Sequence, residues 1–235
     1  MSDVTAAIAR RIIRAPAQGR VVLAGIAGGV GVGKSTWAAA LSGALAAAGS
    51  RAVVVSSDSF LHPNSELDRR GLTLEKGSPA SFDVEALEAF LAAAGGGGLP
   101  MRIPVHSHLT YDIDGFQEVP EAEAVILDGV NVLQPEIRRH LDLAMYLDAD
   151  VADTRRWFLE RFERLRQVAR HQPGSFYAQF AALTDDQSAA IADWTWDNMN
   201  LPNLVRHIEP TRCAADLVVR AGPDHSLTLS RGSGS

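Results

Sequence analysis

Short continuous apolar runs alternate along the chain with longer stretches in which apolar residues recur every three to four positions. The continuous runs have the length of strands buried on both faces of a parallel sheet, and they cover residues 21–26, 52–56, 124–127 and 143–147. The longer stretches predict helices over residues 4–14, from a glycine-rich loop to about residue 48, and over 82–94, 152–169, 175–182 and 185–198. Residues 216–220 and 226–229 predict two closing strands.

Strands that alternate with helices in this way predict an α/β fold with a mostly parallel sheet covered by helices on both faces. We expect one domain over residues 1–231, in which residues 1–19 form an N-terminal helix and linker that Pro16 and Gly19 end. The glycine run at residues 95–98 predicts a surface connector inside that domain. Residues 232–235, Gly-Ser-Gly-Ser, have the composition of a tag remnant.

Composition excludes several classes of protein. The chain has 235 residues, a net charge of −6 and one cysteine, Cys213. The acidic balance argues against nucleic-acid binding, and neither a membrane-spanning run nor a secretory signal is visible. A single cysteine suits a reducing compartment, so we expect a cytoplasmic protein. Lysine occurs only at Lys34 and Lys76, whereas arginine occurs 20 times, which hints that those two positions require a compact charge.

The glycine-rich loop at residues 28–35 reads GGVGVGKS and satisfies the phosphate-loop pattern G-x-x-x-x-G-K-[ST]. Glycines let backbone N–H groups turn toward phosphate oxygens, and the helix that follows directs its positive end at them. In this pattern the lysine reaches the β- and γ-phosphates and the serine hydroxyl binds Mg²⁺. The predicted ATP-binding residues of this segment are Gly28, Gly29, Val30, Gly31, Val32, Gly33, Lys34, Ser35 and Thr36.

Two carboxylates follow predicted strands and therefore come to the carboxyl edge of the sheet, where ligands of parallel sheets bind. Asp128 ends the strand at residues 125–128 and is, with Ser35, a predicted Mg²⁺ ligand. Asp58 follows the strand at residues 52–56 and is a predicted acceptor for the proton of an attacking hydroxyl. Without the phosphate loop, either residue would be interpreted as an ordinary turn or helix-capping aspartate.

The predicted helix at residues 152–169 and its end carry six arginines, a composition that usually marks a solvated face. Phosphoryl transfer benefits from an arginine beside the transferring group, so we expect one or two of them to act there. Spacing alone does not identify which among Arg155, Arg156, Arg161, Arg164, Arg166 and Arg170.

Taken together, the motifs resemble those of prokaryotic type I pantothenate kinases, relatives of phosphoribulokinase and uridine kinase with a P-loop NTPase fold. The phosphate loop is too common to be diagnostic, but further motifs appear in family order from about residue 21 to 231. They are residues 58–64, beginning Asp-Ser-Phe-Leu-His, then 70–77, 104–112 with Pro-Val-His-Ser-His, 128–134, 157–162, and 200–212, ending Pro-Thr-Arg.

This resemblance implies an enzyme that transfers the γ-phosphate of ATP, with Mg²⁺, to pantothenate and forms 4'-phosphopantothenate, the first step of coenzyme A biosynthesis. It implies a catalytic role for Asp58, Lys34 and Arg161 and places His225 close to the adenine. His108, Tyr111 and Asn200 match residues that line the pantothenate pocket. We also expect a homodimer.

The chain departs from the family at several positions. His106 stands where the family has a pocket tyrosine, and Phe158 replaces a second tyrosine, so both count as substrate-site residues with altered chemistry. Asp128 replaces a glutamate, and Ala39 and Leu165 replace an arginine and a phenylalanine that hold the feedback inhibitor coenzyme A. A long N-terminal extension usual in the family is absent, so we expect part of the nucleotide surround to be rebuilt.

Two alternatives stay open at this point. The first is a kinase of the same superfamily that acts on another alcohol, such as a nucleoside, a sugar or a hydroxy acid. The second is a nucleotide-binding regulator that has no small-molecule acceptor. Asp58 separates them, because a regulator has no need of a group that accepts a hydroxyl proton.

Overall fold

The structure, a computed structural model, describes residues 2–15 and 20–230 and has the predicted α/β architecture. Six strands form one sheet, and two further strands form a separate antiparallel hairpin. The strands are β1 (Val22–Gly28), β2 (Ala52–Ser56), β3 (Met101–Ser107), β4 (Asp112–Val119), β5 (Ala124–Asp128), β6 (Leu143–Asp148), β7 (Leu217–Ala221) and β8 (Leu227–Ser230).

The six-stranded sheet has the order β2-β5-β1-β6-β7-β8 and is parallel except for the β7–β8 pair. Its central strands, β1 and β5, are buried along their whole length, which agrees with their continuous apolar sequence. Asp128 is in register with Ile26 of β1 and with Ser56 of β2. The ends of three parallel strands, and the loops that follow them, therefore meet at one edge of the sheet.

Helices cover both faces of this sheet, and each face has its own apolar core. On one face Trp37, Leu41 and Leu45 pack against β1 and β6, and on the other face Phe90 and Leu91 do so. The helices are α1 (Asp3–Ile13), α2 (Lys34–Ala47), α3 (Asn64–Arg70), α4 (Val84–Gly95), α5 (Pro135–Arg138), α6 (Val151–Ala169), α7 (Asp185–Thr195) and α8 (Leu201–Asn203).

The β3–β4 hairpin was not predicted from the sequence. β3 contains Pro104, and the pairing with β4 shifts register between Pro104 and His106. Most of β4 is exposed to solvent, so neither strand shows the apolar pattern of a buried strand. The hairpin nevertheless decides the site, because it carries His106 and ends at the turn that holds His108 and Tyr111.

Two predicted helices have a different form. The segment at residues 175–182 is a 3₁₀ turn, Phe176–Phe180, rather than an α-helix. The helix expected at residues 185–198 continues to residue 208, because π-helical turns, Trp196–Asn200 and Leu204–Ile208, flank α8. Pro16, Gly19 and the tail at residues 232–235 lie outside the described residues, and within those residues no helix combines the length and hydrophobicity of a membrane span.

Candidate active site

The glycine-rich loop leaves β1 at the carboxyl edge of the sheet and ends where α2 begins at Lys34. Gly28 has φ +149°, and a Cβ at this position would lie 2.4 Å from the carbonyl oxygen of Leu147. Gly33, with φ +100°, precedes the helix in the left-handed region. Only glycine adopts these conformations without strain, so the loop can turn its backbone N–H groups inward.

The Lys34 side chain lies across this loop. Its Nζ donates hydrogen bonds to the carbonyl oxygens of Gly28, at 3.0 Å, and Gly29, at 2.8 Å. Burial lowers the pKa of Lys34 to about 8, although the charges of Asp128 and Asp58 act in the opposite direction. The ammonium group of Lys34 therefore lies among backbone acceptors of the glycine-rich loop.

Ser35 and Asp128 meet next to the loop. The Ser35 hydroxyl donates to Oδ2 of Asp128 at 2.6 Å. Asp128 is 3% exposed, and burial raises the pKa of its carboxyl while the bond from Ser35 and the charge of Lys34 oppose that shift. A hydroxyl and a carboxylate are the oxygen donors that Mg²⁺ prefers, and Mg²⁺ sites in kinases combine one or two such side chains with phosphate oxygens. The residues present thus fit this ion.

In the part of the chain that the structure describes, no group of three or more His, Cys, Asp or Glu side chains is arranged to hold a metal ion.

Asp58 stands in a 3₁₀ turn, Ser57–Phe60, that follows β2 directly. The hydroxyl of Ser56 accepts a hydrogen bond from the Asp58 backbone N–H at 3.3 Å and so caps this turn. Burial raises the pKa of the Asp58 carboxyl, and the charges of Lys34, His108, Lys76 and Arg161, in that order, act to lower it. Charges from four separate parts of the chain thus act on one carboxylate.

Lys76, the second lysine, is held by hydrogen bonds, and its charge acts on Asp58. Its Nζ donates to Oδ1 of Asn64 at 2.7 Å and to the carbonyl oxygen of Tyr111 at 2.6 Å, and lies 4.4 Å from the centre of the Tyr111 ring. Burial lowers the pKa of Lys76, while the charges of Asp112 and Asp58 raise it. The scarcity of lysine had marked this residue, but the sequence did not assign it to the site.

The hairpin turn brings three aromatic rings together. The His106 ring contacts the His108 and Tyr111 rings edge to face, at 5.5 Å between ring centres in each case, and Tyr111 stacks on Phe176 at 4.7 Å. Both ring nitrogens of His106 are buried without a hydrogen-bond partner among the described residues. Burial, together with the charge of Lys76, lowers the pKa of His106 to about 4, so its imidazole is neutral at physiological pH.

Helix α6 lies against the glycine-rich loop, and the arginines that it carries have different surroundings. The Phe158 backbone lies against Gly31 of the loop, at 3.4 Å from the position of an added Cβ. Arg161 is exposed, and its charge acts on Lys34, Asp58 and Tyr111. Arg155 and Arg166 instead form ion pairs with Asp193 and Glu163.

Arg156 contacts the carbonyl oxygen of Pro223 and the carboxylate of Asp153. It therefore binds the turn before β8 rather than the loop. Among the described arginines of α6, Arg161 is the one whose charge acts on the pKa of both Lys34 and Asp58.

Two further predicted residues lie at the margins of the site. Nδ2 of Asn200 is buried without a partner among the described residues, and the helix that carries Asn200 packs against the loop, with Leu204 Cδ1 3.4 Å from the position of a Cβ on Gly29. His225 stacks on Trp157 at 4.4 Å between ring centres. Trp157 directly precedes Phe158, whose backbone contacts the loop, and it belongs to the same apolar core as Val32 of the loop.

A protein-family model matches most of the segments that form this site. The model for the phosphoribulokinase/uridine kinase family matches residues 23–164, which include the loop, Asp58, Asp128 and Arg161. The chain belongs to this family. It is therefore an ATP-dependent phosphotransferase, and its mostly parallel sheet with the glycine-rich loop after β1 is that of the P-loop kinases.

Individual proteins are also similar to this chain over most of its length. The kinase is 40% identical over 218 residues to a pantothenate kinase of Bradyrhizobium sp. (strain ORS 278), covering 86% of this chain and 69% of that protein. Its identity to the pantothenate kinase of Rhizobium meliloti (strain 1021) is 40% over 216 residues, covering 86% of this chain and 65% of the relative. Among solved structures, a candidate fructose transport system kinase from Silicibacter sp. TM1040 has a TM-score of 0.75 and 26% identity, covering 93% of this chain and 98% of that one.

Proposed function

We propose that this kinase phosphorylates pantothenate with ATP. The observation that carries the proposal is the setting of Asp58, a carboxylate at the edge of the sheet whose pKa burial raises and the charges of two lysines, a histidine and Arg161 act to lower. A protein that only binds nucleotide needs no such group, whereas a kinase for an alcohol does. Similarity to curated pantothenate kinases over most of the chain supports pantothenate as the acceptor.

The phosphate loop, residues 28–36, is the proposed ATP site. Lys34 would exchange its two carbonyl partners, on Gly28 and Gly29, for phosphate oxygens, which are stronger acceptors because they are charged. Binding would also raise the lowered pKa of Lys34, since a polyanion stabilises the ammonium form. His225 and its stacking partner Trp157 are the proposed contacts for the adenine end.

Ser35 and Asp128 are the proposed Mg²⁺ ligands, and their hydroxyl–carboxylate pair already brings the two oxygen donors together. When bound there, Mg²⁺ would neutralise part of the charge on the β- and γ-phosphates. Occupancy would also lower the pKa of Asp128 and so oppose the effect of burial, because a cation favours the carboxylate.

In the transfer itself, Asp58 would accept the proton of the acceptor hydroxyl as that oxygen forms its bond to the γ-phosphorus. The bond between the γ-phosphorus and the β–γ bridging oxygen breaks, and ADP leaves. Burial makes the Asp58 carboxylate a stronger base than an exposed aspartate, which favours this proton transfer. Arg161 would lie beside the transferring group and stabilise its charge, in line with its influence on Lys34 and Asp58.

The proposed acceptor pocket is lined by His106, His108, Tyr111, Phe158 and Asn200. His106 remains neutral at physiological pH, so it offers one N–H donor and one nitrogen acceptor to an uncharged group of the substrate. Asn200 contributes a buried N–H₂ donor that has no partner among the described residues. Such groups select a substrate with matching hydroxyl or amide groups, because an acceptor that lacks them would leave the pocket groups unsatisfied.

A sugar kinase is the second candidate. The candidate fructose transport system kinase matches this chain over 98% of its own length, whereas the curated pantothenate kinases are matched over 65–69% of theirs. The replacement of two expected tyrosines by His106 and Phe158 also alters the pocket. The proposed phosphate donor, ATP, is the same for both candidate functions, because both would use the phosphate loop and Asp58 of this chain.

A panel assay separates the two candidates. Coupled ADP production is measured with pantothenate, fructose and other hexoses, nucleosides and hydroxy acids at equal concentrations. We expect pantothenate to give the highest kcat/KM, and robust turnover of a sugar with none of pantothenate would overturn the proposal.

Chromatography of the same sample tests the homodimer, which stays a prediction. The single domain over residues 1–231, the cytoplasmic location and the lack of nucleic-acid binding also stay predictions.

A further inference from the structure

The carbonyl oxygen of Gly77 accepts hydrogen bonds from two asparagine side chains that lie far apart in the sequence. Nδ2 of Asn131, which follows β5, donates at 2.9 Å, and Nδ2 of Asn203, in α8, also donates at 2.9 Å. A backbone carbonyl has two lone pairs, and here both are used by amide side chains. We call Asn131, Asn203 and the Gly77 carbonyl the Gly77 clamp.

The clamp leaves polar atoms without partners. A carbonyl oxygen only accepts, so each amide must direct its N–H₂ toward Gly77 and its own oxygen elsewhere. Within the described residues, the two remaining oxygens, Asn131 Oδ1 and Asn203 Oδ1, are buried without a hydrogen-bond partner. Buried polar atoms in this state are destabilising, so hydrophobic side chains would serve better if the two positions only filled space.

The backbone around Asn203 is also unusual. π-helical turns lie on both sides of α8, at Trp196–Asn200 and at Leu204–Ile208. Such turns are rare and occur mostly where a helix must direct side chains at a functional site. Here they flank the segment that carries Asn200, whose buried Nδ2 has no partner among the described residues, and Asn203, whose Nδ2 binds the Gly77 carbonyl.

Gly77 follows Lys76 directly, and the segment is held at further points. The Gly77 backbone, with φ +98°, donates its N–H to the Ser81 hydroxyl at 2.9 Å. The Lys76 side chain is held in turn by Asn64 and by the Tyr111 carbonyl. An ammonium group has three N–H donors and these two acceptors use two of them, which leaves one N–H for a further partner, and the charge of Lys76 acts on Asp58.

We propose that Asn131 and Asn203 are positioning residues that, by holding the Gly77 carbonyl, keep the Lys76 ammonium beside Asp58 and the acceptor hydroxyl. This inference rests on the proposed function in so far as it takes an alcohol to be the acceptor. It explains why a lysine is kept at this position in a chain whose only other lysine is Lys34, since the space between Asn64 and Tyr111 suits a compact charge. It also connects the end of β5 and the C-terminal helix to the site through one carbonyl.

The alternative is a purely structural tie that fastens the loop to the core. Both ideas predict some loss of stability on mutation, so stability does not distinguish them. They differ in whether the effect passes through Lys76, and a mutant cycle with Lys76 measures that directly.

The variants are Asn203→Asp and Asn131→Asp, which keep the side-chain size but replace the donating N–H₂ by an oxygen that repels the Gly77 carbonyl. Asn198→Asp is the matched control, because Asn198 lies on the same helical segment and donates to the carbonyl of Trp194 at 2.8 Å on the exposed surface. We expect both clamp variants to lower kcat with the acceptor about tenfold while KM for ATP is unchanged, and the control to behave as wild type.

The same substitutions are then made in a Lys76→Met background. If the clamp acts through Lys76, they should have no further effect on kcat there. An equal loss of kcat with and without Lys76 would overturn the proposal and leave a structural tie. If Asn203→Asp unfolds by circular dichroism, Asn203→Ala takes its place.

A second readout needs no turnover. The chain has only two lysines, so ¹⁵N-lysine labelling gives two side-chain NH₃⁺ resonances, assigned with a Lys76→Met sample. We expect the Lys76 resonance to shift or broaden in both clamp variants and to stay in place in Asn198→Asp. An unchanged Lys76 resonance would refute the clamp, whereas a failure of the proposed function would appear separately, as wild-type enzyme that turns over no alcohol in the panel.

Discussion

Replacing the proposed base, Asp58→Asn, should remove most turnover and leave nucleotide binding in place. Asparagine has the same shape as aspartate, and its backbone N–H can still donate the 3.3 Å hydrogen bond to Ser56 Oγ. The turn after β2 should therefore persist. What the amide lacks is the ability to take a proton. The variant therefore separates base chemistry from local folding.

The magnitude follows from the setting of the carboxylate. Its pKa is raised by burial, and within residues 2–15 and 20–230 its carboxylate accepts no hydrogen bond that would lower that pKa, so its basicity is available to the substrate. General bases contribute about 100-fold to 10,000-fold, and we expect kcat to fall within this range, or by about 3–5 kcal/mol in activation free energy. The charge of Asp58 also raises the pKa of Lys34, so its loss should move that pKa below about 8.

Steady-state kinetics at pH 6.5 and pH 8.5 measure both effects. At pH 6.5, KM for ATP should match wild type, because Lys34 is still charged. At pH 8.5, KM for ATP should rise more in the variant, because the ammonium form of Lys34 is lost at lower pH. Asp114→Asn, at an exposed position of β4, is the control for a lost carboxylate. Wild-type kcat would refute the role as base, and loss of ATP binding at pH 6.5 would identify Asp58 as part of the nucleotide site.

Four further results are expected. Lys34→Ala should abolish turnover and sharply weaken ATP binding in calorimetry, because no other side chain bonds across the loop at Gly28 and Gly29 among the described residues. In wild type, kcat/KM for ATP should decline as pH rises through about 8, since the lowered pKa of Lys34 means that its charge is lost there; a flat profile to pH 9 would contradict this. Phe158→Tyr should lower KM for pantothenate by a few-fold to about tenfold, the worth of one restored hydrogen bond, and an unchanged KM would exclude contact with substrate. Coenzyme A should inhibit weakly in an ATP titration, because Ala39 is an exposed residue without a guanidinium for a phosphate.

The part of the site that could be predicted is the part written in local sequence. The loop pattern predicts its own backbone because the glycines at 28 and 33 have positive φ, and Ser35 meets Asp128 because each follows or ends a strand of the same sheet. Asp58 could be located for the same reason. Parallel strands end at a common edge, so a residue that directly follows a strand has a known position before the strand order is known.

The hairpin and the C-terminal segment could not be predicted in this way. β3 and β4 pair with each other and leave most of β4 in water, so their sequence lacks the apolar run that identified the other strands. The sequence predicts a helix over residues 175–182, where the structure has the 3₁₀ turn Phe176–Phe180. The aromatic rings of this turn pack on one another and on Tyr111, contacts that periodicity does not reveal.

By itself, then, the sequence determined the α/β architecture, the phosphate loop and the carboxylates at the edge of the sheet, since these depend on residues that are neighbours in the chain. Only the tertiary structure decided which of six arginines acts on Asp58 by its charge, that the charge of Lys76 does so too, and that His106 is neutral. These properties depend on burial and on contacts between distant segments, such as the 126 positions that separate Gly77 from Asn203. Charge, desolvation and hydrogen bonding act through space, and the chain acquires those distances only when it folds.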